Sequence, residues 1–216
     1  MPKTHKPAPA DPGTSYSTLE AAKLLGTSVQ TVQRWMDLGH SGGWRTPGGH
    51  RRIEPAGVDR LLRLATLSAP TRADSRADSA DGDEGVSIML VDDSPDDLEF
   101  LEAVVRKVMP GANIRAVRNG FSALMLIGRE KPDVLITDIG MQGFDGLEMI
   151  RSLRDDAATA NLPVLAVSGY KPEEIATRFG ALPERLNVLM KPLSPAMLRD
   201  TLAQIAPALL RRAVSA

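Results

Sequence analysis

The sequence predicts an α/β fold, a doubly wound five-stranded parallel sheet, with a second, smaller winged helix-turn-helix domain in front of it. Three observations lead there. From Val86 onward, apolar runs of strand length alternate with helical segments. Before that, two short helical segments joined by a tight turn run into a Pro-Gly-Gly hairpin signal. Between them lies APTRADSRADSADGDEG, with no aromatic residue and a repeated RADS. Such a stretch cannot bury enough apolar surface to offset its ordering entropy, so it is predicted to be a flexible linker. The expected organisation is a disordered arm over 1–15, rich in Pro, Ala and Lys, the small domain over 16–68, the linker over 69–85 and the large domain over 86–216.

Composition narrows the classes. The 216 residues are 43% hydrophobic, 25% charged and 4% aromatic, the balance of ordinary soluble domains rather than of collagenous, mucin-like or wholly disordered chains. The absence of cysteine excludes disulfide scaffolds, cysteine nucleophiles, iron–sulfur clusters and cysteine zinc sites. The first residues, MPKTHKPAPADPG, lack the apolar core of a signal peptide, and no apolar run approaches the roughly 18 residues that span a membrane. A cytoplasmic protein with no membrane partner is expected. The net charge of -1 hides an asymmetry: residues 1–68 hold 9 Lys/Arg against 5 Asp/Glu, residues 69–85 hold 2 against 5, and the remainder holds 15 against 17. A basic front and a mildly acidic rear point to different partners.

In the front half, Ser17 and Glu20 form a capping-box pattern at the start of STLEAAKLL, and Gly26 ends that helix. Ser28 is placed to N-cap a second helix, with Val29, Val32 and Met36 on one face, Trp35 beside them and Gly39 closing it. Gln30, Thr31, Gln33 and Arg34 are expected to lie away from that stripe. In Trp44-Arg45-Thr46 and His50-Arg51-Arg52-Ile53, flanking Pro-Gly-Gly, two short strands should form a wing, followed by a third helix, AGVDRLLRLATL.

The segment from Tyr16 to about Leu67 resembles the MerR-like, excisionase-type winged helix-turn-helix, above all in TVQRW, the glycine after it and RTPGGHRRI. A helix presenting Gln, Thr and Arg suits the major groove of double-stranded DNA, where Gln pairs with adenine and Arg with guanine. Arg45, His50, Arg51 and Arg52 on the wing would reach phosphates, or place one arginine in the minor groove. Trp35, Val32 and Ile53 read as core, Trp44 as packing under the wing, and Arg34 has the alternative of a salt bridge inside the domain. His50 is a poor metal ligand, because the only other histidines are His5 and His40.

In the rear half, VSIMLV, NIRAV, DVLIT, PVLAV and NVLM read as buried strands. DLEFLEAVVRKVM, FSALMLIGRE, LEMIRSLR, EEIATRF and PAMLRDTLAQIA read as the helices between them. Ligands of an open parallel sheet sit beyond the carboxyl ends of its strands. Those ends carry Asp92-Asp93, Asp138, Ser168-Gly169 and Lys191-Pro192. Singly these are bland: an Asp-Asp pair before Ser-Pro is usually a helix-start turn, and Lys-Pro is a common surface dipeptide. Together, three carboxylates, a hydroxyl and an ammonium make a site for a hard divalent cation such as Mg²⁺, which suits oxygen ligands, and for a phosphoryl group contacted by Lys191 and Ser168.

These four positions, in this order, make residues from Val86 to about Ala206 resemble the receiver domain of two-component response regulators, a flavodoxin-like fold. The resemblance implies that Asp138 is the phosphoacceptor, forming an acyl phosphate. It implies that Asp92, Asp93, Asp138 and the backbone carbonyl of Gly140 hold Mg²⁺, that Ser168 and Lys191 contact the phosphoryl group, that Gly169 leaves room for it, and that Lys191-Pro192 is cis. The sequence departs from the family in two places. Gln142 follows Met141 where proline is usual, and Val188 stands at the switch-aromatic position, so a buried-versus-exposed ring flip is not available there. Gly140 and Tyr170 occupy variable positions around the site, and their size contrast should affect phosphoryl lifetime.

The expected function is a response regulator, phosphorylated on Asp138 by a sensor histidine kinase, that controls transcription through DNA binding. It would catalyse at most its own phosphotransfer and dephosphorylation. A homodimer would form through the receiver's fourth and fifth helices and fifth strand, or side by side on DNA. The alternatives are a phosphorylation-independent DNA-binding or scaffolding protein and a phosphorelay shuttle whose front domain binds protein.

Overall fold

A computed structural model describes residues 15–66, 85–141 and 145–215. The chain divides into two compact units, residues 1–64 and 65–216, each described by itself. Apart from Ser15 and Gly85 at their edges, the expected arm and linker lie outside the described residues, as does Gln142.

The first unit runs β1 (Tyr16–Ser17), α1 (Thr18–Leu25), α2 (Val29–Asp37), β2 (Gly43–Arg45), β3 (Arg51–Ile53) and α3 (Pro55–Thr66). The capping box forms: the Glu20 amide donates to Ser17 Oγ at 3.2 Å, and the Ser17 amide donates to the Glu20 carboxylate at 2.8 Å. Gly26 takes the left-handed conformation, φ 65°, that ends α1, and the Ser28 side chain caps α2 through the Thr31 amide. The wing is an antiparallel pair with Trp44 opposite Arg52 and Arg45 opposite Arg51. Its turn closes where the Thr46 amide donates to the His50 carbonyl at 2.8 Å, with Gly49 at φ 80°. The sheet has three strands rather than two, in the order β1-β3-β2. Two residues before a helix carry no alternation to read, so β1 is visible only in its pairing with β3. Ala21, Leu25, Val32, Trp35, Ile53 and Leu61 form the buried centre. The backbone of β2 approaches α2 closely at Gly43, where a Cβ would lie 2.8 Å from the Met36 methyl.

The second unit runs β4 (Ser87–Val91), α4 (Pro95–Val108), β5 (Asn113–Val117), α5 (Gly120–Glu130), β6 (Val134–Asp138), α6 (Gly146–Asp155), β7 (Val164–Ser168), α7 (Pro172–Phe179), β8 (Asn187–Met190), α8 (Pro195–Ile205) and α9 (Pro207–Ser215). Its five strands are parallel, in the order β5-β4-β6-β7-β8. Every residue of β6 and β7 is buried, which is why both strands begin as apolar runs rather than as alternation, with polar residues only at their carboxyl ends. β8 is half-buried at the edge. One core layer joins Ile88, Leu90, Val105, Ile136, Leu165, Leu198 and Leu202. The helix α9 exceeds the five expected after Val86. Leu209 ties it to the same layer, and Arg212 pairs with Asp133 at 3.1 Å.

The strand order reverses between β4 and β6, the first strand of the sheet lying between the second and the third. At such a point the connections leave in opposite directions and open a crevice at the carboxyl edge.

Candidate functional site

The crevice gathers the residues that follow the apolar runs. Asp92 follows β4, Asp138 ends β6, Ser168 ends β7, and Lys191 follows β8 with a cis bond to Pro192. The Lys191 ammonium lies 2.8 Å from Asp92 Oδ2, 3.0 Å from Asp138 Oδ1 and 2.6 Å from Asp97 Oδ2. Asp92 and Asp138 are nearly sealed from solvent, at 2% and 7% exposure. The second oxygen of Asp92 accepts the Ser94 amide at 2.9 Å, which ties the carboxylate to the start of α4.

Burial is the largest influence on Asp138 and raises its pKa; Lys191 opposes this, Asp92 adds to it, and a hydrogen bond from the Gly140 amide opposes it again. Burial also works against the charge on Lys191, but the carboxylates of Asp92, Asp97 and Asp138 outweigh it and hold the ammonium well above its ordinary range. Three carboxylates against one ammonium leave the cluster with surplus negative charge, and its donors are hard oxygens. Both features fit Mg²⁺. The geometry is not that of a preassembled cage, however. Among the described residues, no three acidic or histidine side chains stand at metal-ligand spacing. Asp92 and Asp138 meet at Lys191, and the backbone carbonyl of Asp93 faces the Arg118 guanidinium at 3.5 Å.

Around Asp138 the backbone is close and the cover is aromatic. At Gly140 a Cβ would lie 3.3 Å from Asp138 Oδ2 and 3.2 Å from the Tyr170 ring, so the glycine lets that ring approach. Tyr170 carries the Arg178 guanidinium 4.6 Å from its ring centre and has Phe179 5.8 Å away. Its amide donates to the buried Ser168 hydroxyl at 3.0 Å. Space around Gly169 is open. Val188 sits half-buried in β8, opposite Ala166.

In the first unit, Gln30, Arg45 and His50 are exposed, while Gln33, Arg34, Arg51 and Arg52 are half-buried. Thr31 corrects the sequence expectation. It is 3% exposed, with its hydroxyl 3.0 Å from Ser28 Oγ, and so belongs to the helix cap rather than to an outward face. Arg51 also differs from a free wing arginine: its guanidinium makes two bonds to Asp37, at 2.7 and 3.0 Å. Arg45 lies 3.5 Å from the same carboxylate. The Arg51 hydrogen bond is the largest influence on Asp37 and lowers its pKa; burial opposes it, and the charges of Arg51 and Arg45 lower it further.

Two residues of the site went unrecognised in the sequence. Asp97 reads as an ordinary acid in the first turn of a helix, where the macrodipole favours it. Gly146 reads as part of an Asp-Gly turn, yet a Cβ there would overlap the Asp138 carbonyl oxygen. Neither carried a signal that separates it from the bland reading.

Known proteins agree with this architecture. The response regulator receiver domain matches residues 88–203, and a helix-turn-helix domain matches residues 15–63. Protein PilH of Pseudomonas aeruginosa is 34% identical over 115 residues, covering 53% of this chain and 93% of its own. An uncharacterised 14.6 kDa protein of Leptolyngbya boryana is 34% identical over 51% of this chain and 82% of its own length. Among solved structures, a sensor protein from Polaromonas sp. JS666 superposes with a TM-score of 0.50 at 25% identity, over 57% of this chain and 98% of that one. With five parallel strands in this order and a family match over more than half its length, the chain belongs to the response regulator receiver family, its receiver placed behind an N-terminal helix-turn-helix domain.

Proposed function

We propose that the protein is phosphorylated on Asp138 by a sensor histidine kinase and that this controls its binding to double-stranded DNA. The supporting observation is the buried Asp138 carboxylate, at the crevice of a parallel sheet, with the Lys191 ammonium at 3.0 Å. A carboxylate oxygen of Asp138 attacks the phosphorus, the bond from phosphorus to the donor nitrogen breaks, and an acyl phosphate forms. Mg²⁺ bound by Asp92, Asp138 and the Gly140 carbonyl, with Asp93 joining them, would neutralise the charge of the incoming group. Lys191 and the Ser168 hydroxyl then contact the phosphoryl oxygens. The chain's own chemistry is limited to accepting and losing this group.

On the other unit, Gln30, Gln33 and Arg34 are the candidates to read bases, and Arg45, His50, Arg51 and Arg52 the candidates for phosphates. Among the described residues no helix is long and apolar enough to cross a membrane. A homodimer through α7, β8 and α8 would raise the effective concentration of two small DNA-binding units.

Intact-mass analysis after incubation with Mg²⁺ and a small-molecule phosphodonor tests the first step. One phosphoryl group should be gained, and lost in Asp138→Asn and without Mg²⁺. A parent that gains none would overturn the reading. A second reading, DNA binding or scaffolding independent of phosphate, is favoured by the aliphatic Val188 in β8. Duplex affinity that is identical with and without the phosphodonor would select it, whereas affinity flat across a salt titration would remove DNA from both.

A further inference from the structure

We propose that Asp97 is a positioning residue for the cation site: it holds the Lys191 ammonium so that a divalent ion can take the outer oxygen of Asp92 while the lysine stays in place. The proposal rests on the reading of Asp92 and Asp138 as cation ligands and deepens it. An ammonium has three N–H donors, and three carboxylates lie within hydrogen-bond distance of Lys191. Asp92 accepts the Ser94 amide on one oxygen, so its remaining oxygen is the one a cation would bind and the one Lys191 already holds. Asp138 is engaged by the same ammonium. With these two acids alone, an entering cation would strip the lysine of its partners and leave two positive charges in contact.

Asp97 resolves that competition. It comes from the first turn of α4, it makes the shortest of the three contacts at 2.6 Å, and its side chain is 48% exposed. Because Asp97 is not one of the cation's ligands, its hold on Lys191 is kept when Asp92 and Asp138 turn to a cation. A cavity of about 420 Å³ runs from Asp92, Asp97 and Lys191 along Phe100, Leu101 and Leu193, which gives the ammonium room to move towards Asp97. The lysine is thus kept close enough to reach a phosphoryl group on Asp138.

Calorimetric Mg²⁺ titration of the full chain tests this with D97N, D97E, K191M and the double variant D97N/K191M. D97N should weaken Mg²⁺ binding about three- to tenfold, as expected for a displaced charge at partly screened short range. D97E should restore it to within about twofold. In the K191M background the D97N effect should shrink to less than about twofold, because Asp97 acts through the lysine. D97S serves as a second variant if D97N fails to fold. Parent-like binding by D97N, or an undiminished loss in the K191M background, would overturn the proposal. A parent that binds no Mg²⁺ at all would instead overturn the reading of the cation site, and this proposal with it.

Discussion

In the receiver unit one ammonium, Lys191, sits among three carboxylates; in the helix-turn-helix unit one carboxylate, Asp37, sits between two guanidiniums. The two networks are near mirror images in charge, and they differ in burial. The side chains of Asp92 and Asp138 are 3% and 9% exposed, whereas that of Asp37 is 54% exposed. Coulomb attraction scales inversely with the local dielectric, and so does the penalty for an orphaned charge. The buried carboxylates Asp92 and Asp138 therefore depend on Lys191, whereas Asp97, at 48% exposure, stands on the solvent side of the same cluster. The exposed one is a soft tether that water and salt can replace.

The sharpest way to break this comparison is Lys191→Met, which leaves Asp92 and Asp138 facing each other without a cation. We expect a loss of about 3 kcal/mol in receiver stability, partly recovered by Mg²⁺, in chemical denaturation followed by circular dichroism. An unchanged midpoint would mean that water already reaches the cluster. Next in size is Gly146→Ala. Its methyl would overlap the Asp138 carbonyl oxygen, and forcing β6 and α6 apart should cost about 2 kcal/mol and slow phosphoryl gain. A variant with parent stability would show that α6 can shift freely.

The smallest effect is expected at Asp37. Its folded pKa lies below the ordinary 3.8, so its stabilisation is fully present above that value and is lost as the pH falls through the lowered folded pKa. Asp37→Asn should cost about 0.5 kcal/mol at neutral pH, a difference that fades in acid. The chain's two tryptophans, Trp35 and Trp44, both lie in this unit, so their fluorescence reports on it alone. A difference that persisted below the folded pKa would assign the effect to something other than the ion pair.

Much of the architecture was legible because period and punctuation agree. The apolar runs Val134–Ile136 and Val164–Val167 read as strands buried on both faces because they are short, rich in branched residues and flanked by amphipathic helices. Capping at Ser17, Ser28 and Gly26 was legible because it depends on neighbours within four residues. What escaped depends on distant partners. β1 exists because Ile53 and Arg52 lie opposite it, and α9 because Leu209 finds the receiver core. Thr31 departs from the sequence pattern for a local reason: facing away from the apolar stripe does not mean facing water when an N-cap serine is within reach.

The sequence by itself determined which groups stand at the carboxyl edge. The residue after each buried run must emerge there, and Asp92, Asp138, Ser168 and Lys191 occupy those places whatever their side chains do. Only the tertiary structure decided how they meet. The Lys191 side chain is long and has many rotamers, and its position is set by the summed attraction and desolvation of acids that lie 99, 94 and 53 residues away in the chain. Asp97 enters the site by that route alone, because the fold brings the first turn of α4 beside the end of β8.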